Sequence, residues 1–165
     1  KSDLDGQLYL VRNLSDRQHA ANMLAKIKQN MFQLTDNLVN NKDKYKDFIP
    51  YIDQLNDKIH KCSLMESSEN SAYTSYSVNK GEQIVFCLRS RQTSEGKLHD
   101  LNLLMYVVLH EMAHVACPEF GHTELFKDIF AFLTEVAIKI KIYKKIDFKN
   151  DNREYCGLTI TDSII

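Results

Sequence analysis

One stretch limits this chain more than any other: LNLLMYVVLHEMAHVACPEFGH, residues 101–122. An apolar-rich run leads without a break into His110-Glu111-x-x-His114, and Cys117, Pro118, Gly121 and His122 follow. Asp100 can cap a helix beginning at 101. Pro118 closes it near 117, because proline lacks an amide and clashes with the preceding turn. Side chains four apart share one helix face, about 5–6 Å apart at Cβ. His110 and His114 can therefore converge on one ion. Glu111 lies about 100° around the axis, too oblique to join the pair but within reach of a water that such an ion would acidify. Catalytic zinc takes three protein ligands in most sites. His122 is the third candidate, since Gly121 permits a tight reversal that brings it over the His110/His114 face.

The competing reading is a buried helix that happens to contain histidines. The five-residue motif does not decide between them; its context does. It sits on a predicted helix, follows an apolar run, and precedes a stop, a glycine and another histidine. His19, His60 and His99 have no comparable argument. His99, two to three turns before His110, is too far along the helix to join them.

Several classes are set aside by composition. The 165 residues suit one domain, and a net charge of −1 offers no basic field for nucleic acid. No apolar run approaches the ~20 residues of a membrane span. Cys62, Cys87, Cys117 and Cys156 show no C-x-x-C spacing, which argues against a cysteine zinc finger or a thioredoxin-type motif. Isolated buried thiols in a reducing compartment are the simplest expectation, with one or two disulfides as the alternative. That expectation places the protein inside the cell, in cytoplasm or nucleus.

Residues 1–14 read as a short strand or an extended lead-in. Ser15 is expected to cap a helix, with Gln18 at the capping-box position. Ala20, Leu24, Ile27, Met31, Leu34 and Leu38 then form one apolar stripe over about six turns. A second helix is expected over 45–62, with Phe48, Ile52, Leu55 and Ile59 inward and Pro50 near its start. Residues 65–72 look like a loop. Alternation around Asn79-Lys80-Gly81 predicts a β-hairpin over 73–89, with the glycine supplying a positive φ. After 91–97, another loop, comes the His110 helix. A further helix is expected from near His122 to about 142, carrying Phe126, Ile129, Phe130, Leu133, Val136 and Ile140. Short strands are expected around KIDF (145–148) and CGLTI (156–160). The sum is a single α+β domain over 1–165: helices over 1–65, then over 73–165 a small antiparallel sheet or hairpin, the active-site helix, a second helix and C-terminal strands.

The segment HEMAHVACPEFGHTELF (110–126) resembles the active-site segment of zincin metallopeptidases, and within them the SprT and WLM group. That group pairs HExxH with a downstream histidine in an H-x-x-x-F pattern opening the next helix, here His122 and Phe126 after Gly121. The seven residues between His114 and His122 set the chain apart from metzincins, which have five. The resemblance implies a zincin-like fold that hydrolyses peptide bonds, with His110, His114 and His122 as Zn2+ ligands and Glu111 as general base. It also implies a polypeptide substrate pairing along a cleft strand, for which the 73–89 hairpin is the natural place. An oxyanion donor is expected in such a site. Tyr155 is the candidate transition-state stabiliser, with Tyr143 and Arg89 beside it, and spacing does not choose among them. Cys117 could approach the ion, and Asp128 could orient His114 or His122. The alternative function is a non-catalytic, metal-stabilised binding or regulatory domain, a module of a nucleic-acid-associated protein among its forms.

Overall fold

The apolar stripe lies on α1 (Arg17–Asn40), where Ala20, Leu24, Ile27, Met31, Leu34 and Leu38 are all buried. The structure, a computed structural model, describes residues 1–68, 74–92 and 96–161; the first residue of the expected hairpin and parts of the 65–72 and 91–97 loops lie outside these. α1 begins differently from expectation. Asp16, not Ser15, occupies the N-cap and makes no side-chain bond to the helix. Its carboxylate accepts instead from Arg89 Nη1 at 2.6 Å, while Gln18 donates to the Lys1 carbonyl. The Asp16 carboxylate is thus held by a distant cation rather than by the helix amides.

Two short 3-10 turns, Lys42–Lys44 and Lys46–Phe48, precede α2 (Ile49–Ile59). The helix expected over 45–62 is therefore shorter. Pro50 sits in its first turn, where a missing amide is harmless, and Ile52, Leu55 and Ile59 are buried.

The sheet is mixed rather than antiparallel. β1 (Ser63–Glu66), lying partly where a loop was expected, runs parallel to β3 (Gln83–Phe86). β3 also pairs antiparallel with β2 (Ser75–Val78), giving the order β1-β3-β2. The lead-in bridges β1 at Leu10↔Met65, and β2 is the sheet's other edge strand, with no strand paired on its outer side among the described residues. The β2–β3 turn is sharper than expected: Asn79, Lys80 and Gly81 all have positive φ, at 50°, 49° and 107°.

α3 (Leu101–Ala116) is capped as expected, with the Asp100 carboxylate accepting from the Leu103 amide at 3.2 Å. It packs against α4 (Glu124–Lys139) on one side and α2 and α1 on the other, with β2 alongside. Thr123 caps α4, so His122 stands just before that helix rather than within it. Of the two C-terminal strand expectations, CGLTI is met by β5 (Leu158–Ile160), paired with β4 (Arg153–Tyr155). KIDF is not a strand; its Phe148 is buried edge-on against Tyr106. The expectation of isolated thiols fails for two of the four cysteines, since Cys87 and Cys156 form a disulfide. Cys62 and Cys117 are buried free thiols. No described helix is long and apolar enough to cross a membrane. Among the described residues one contiguous core joins α1, α2, α3 and α4 to the β1-β3-β2 sheet, so the α+β single-domain expectation holds.

Candidate metal centre

Because α3 is buried along most of its length, its His110/His114 face opens on the one side the 117–123 loop covers. The two imidazoles stand edge-to-face with centroids 4.8 Å apart. The loop returns His122 over both, at 5.1 Å from His110 and 5.2 Å from His114. Phe126, in the first turn of α4, stacks on His114 at 4.2 Å and lies 5.0 Å from His122. The second part of the H-x-x-x-F pattern thus packs against the ligand candidates themselves.

The donor set suits a metal ion. One nitrogen from each histidine lies within 4.8 Å of the others, and His110 Nε2 and His122 Nε2 are 3.1 Å apart. Nitrogens around a tetrahedral zinc with ~2.0–2.1 Å bonds are about 3.3 Å apart. Neutral imidazole is the ligating form. Burial, then the neighbouring His110, pushes His114 down to about 4. The same two causes lower His122.

Glu111 is 4% exposed, with Oε2 2.9 Å from His110 Nδ1. With the proton on Nδ1, His110 donates to this carboxylate and leaves the Nε2 lone pair facing His122. The carboxylate thereby fixes a tautomer suited to ligation. Glu111 and the three histidines line a cleft of about 760 Å3. Ser75, Tyr76 and Ser77 of the edge strand β2 form one wall, and Phe120, 81% exposed, stands at the other.

The remaining sequence candidates are not among the residues lining the cleft. Tyr155 is buried behind β2, where its hydroxyl donates to the Cys87 carbonyl at 2.8 Å and is hydrogen-bonded to Ser75 Oγ. Burial, with the Glu111 charge adding, raises that hydroxyl's pKa. Arg89 is locked to Glu66 and Asp16, and Tyr143 is buried near Tyr106; neither lines the cleft. Cys117 is fully buried outside the histidine cluster, and Asp128 is exposed in a groove beside Phe48. His99 Nε2 accepts from the Cys156 amide, and His19 and His60 are exposed. Phe120 and Lys80, both on the cleft wall, carried no sequence signal: an exposed loop aromatic and a turn lysine have no spacing to betray them.

The fold matches a solved structure, Wss1 from Saccharomyces cerevisiae, with a TM-score of 0.58 over 81% of this chain and 88% of that one. Sequence identity is 18%, so the likeness concerns the fold. No protein-family model matches the chain. The "Uncharacterized protein R325" of Acanthamoeba polyphaga mimivirus is 48% identical over 165 residues, covering 100% of this chain and 83% of R325. The chain belongs to the family of that mimivirus protein. The "Uncharacterized protein 136R" of Invertebrate iridescent virus 6 is 37% identical over 82 residues, which are 50% of this chain and 44% of that protein. The "Uncharacterized protein 042R" of Invertebrate iridescent virus 3 is 40% identical over 86 residues, 51% of this chain and 50% of that protein.

Proposed function

We propose that this chain is a zincin-like metallopeptidase domain of the SprT and WLM kind, spanning 1–165 and using zinc held by His110, His114 and His122. The observation that carries the reading is a three-histidine cluster with a buried glutamate beside it, in a cleft walled by the edge strand β2. The Wss1-like fold supports it. Held by His110, His114 and His122, zinc would supply Lewis acidity, acidifying a water and polarising a carbonyl.

Glu111 takes a proton from the attacking water as its oxygen bonds to the scissile carbonyl carbon. As the C–N bond breaks, Glu111 returns that proton to the leaving amine. An extended substrate aligns by main-chain hydrogen bonds to β2, which passes beside both Glu111 and the histidines.

The test is cleavage of an unfolded, reduced and alkylated protein, read by mass spectrometry, for wild type and Glu111→Gln. The wild type is expected to cut in a chelator-sensitive way. The variant should lose at least about 10²-fold, the scale of a general base. Equal cleavage by both forms excludes Glu111 as the base. No cleavage by either, with zinc bound, favours a metal-stabilised binding domain instead.

A further inference from the structure

Lys80 sits at the tip of the β2–β3 hairpin, the second of three consecutive residues with positive φ. Its Nζ donates to three main-chain carbonyls: His114 at 3.1 Å, Cys117 at 2.5 Å and Glu119 at 2.6 Å. An ammonium has three donors and no acceptor, so these carbonyls saturate it. The first belongs to a proposed ligand itself. The other two belong to the segment that leads from α3 back to His122. Carbonyls at a helix C-terminus have no partner within the helix, and a cation there is favoured by the helix dipole. The same Nζ lies 4.7 Å from the centre of the Phe120 ring.

The hairpin tip is also pressed against α3. A Cβ on Gly81 would come within 2.9 Å of both Val115 methyl carbons. Gly121, by contrast, has φ +81° and nothing within 4 Å of a Cβ built there. It lets the chain turn towards His122 but does not hold it. Lys80 therefore supplies main-chain anchoring on the path between the second and third histidines.

We infer that Lys80 is a positioning residue, which ties the edge-strand hairpin to the loop carrying His122 and thereby sets the affinity of the centre for its metal. This rests on the metal centre proposed above. The rival effect of a lysine here has the opposite sign. As a bare positive charge it repels a cation, so removing it for charge alone would tighten metal binding, whereas removing an anchor loosens it.

The experiment is zinc affinity by competition with a chromophoric chelator, on the whole chain, for wild type, Lys80→Met and Gly81→Ala. Each protein's fold is checked by circular dichroism and its melting temperature is recorded. Lys80→Met is expected to weaken zinc binding about 10–100-fold, the range for outer residues that orient metal ligands. Gly81→Ala keeps the ammonium but forces the tip away from Val115, so it should weaken binding in the same direction. It also serves if Lys80→Met does not fold. Unchanged or tighter binding in a folded variant overturns the inference, including the case where only the melting temperature falls. No zinc binding by the wild type overturns the metal centre, and this inference with it.

Discussion

Replacing Arg89 by methionine removes the cation from the most enclosed ion cluster among the described residues. Its Nε donates to Glu66 Oε2 and its Nη1 to Asp16 Oδ1, each at 2.6 Å. The side chains of Arg89 and Glu66 are 2% and 1% exposed. In the variant Glu66 keeps the Arg12 amide, which donates to Oε1 at 2.8 Å, but its buried charge loses the guanidinium paired with it. Breaking such a pair from one side costs about 3–5 kcal/mol. For a domain of this size each kcal/mol moves the melting temperature by about 2–4 °C, so a drop of about 10 °C is expected. Asp16 is 33% exposed and regains water. The double variant Arg89→Met/Glu66→Gln removes both buried charges and leaves an amide oxygen for the Arg12 N–H. It should return to within about 2 kcal/mol of wild type, since apolar or neutral replacements of whole buried pairs are well tolerated. Urea denaturation at constant m measures both. A single variant that loses less than about 1 kcal/mol, or a double no more stable than the single, would refute the reasoning.

Tyr155→Phe removes the hydroxyl that holds Ser75 Oγ and the Cys87 carbonyl. If its role is to brace the cleft strand, stability falls by about 1–2 kcal/mol and kcat changes less than about tenfold. A transition-state donor would instead cost about 10²–10³ in kcat, and the two outcomes separate in a single kinetic run. Cys87→Ala/Cys156→Ala opens a closure of 69 residues, for which chain entropy gives up to about 4 kcal/mol. Denaturant titration should show a loss of about 2–4 kcal/mol relative to the oxidised wild type, and no loss would show that the bridge contributes nothing to stability.

The parts of the fold that were legible in the sequence are those written locally. Asp100, the apolar run and Pro118 bound α3 to within a residue, because a cap and a breaker act over one turn. The Ala20–Leu38 stripe and the β2–β3 turn were readable for the same reason. Pairings between distant segments left no such mark. β1 is a strand because β3 runs beside it, and its second half opens the polar stretch 65–72 that reads as loop. Ser15 had the better local case for the N-cap, but Arg89, 73 residues from Asp16, claims the Asp16 carboxylate. The Cys87–Cys156 bridge likewise depends on where β4 and β5 return. At the site, helical periodicity alone places His110 and His114 side by side. The position of His122 rests on a loop path, and that path is held by Lys80, a residue whose three acceptors exist only in the folded chain.

The most direct test of the account is metal content by native mass spectrometry for the purified chain, for Glu111→Gln and for His122→Ala. One zinc ion per chain is expected in the wild type and in Glu111→Gln, since the glutamate is beside the donor set and not part of it. The His122→Ala protein, left with two ligands, is expected to lose the ion on buffer exchange. A wild type without metal, or a His122→Ala protein that keeps a full complement, would contradict the account.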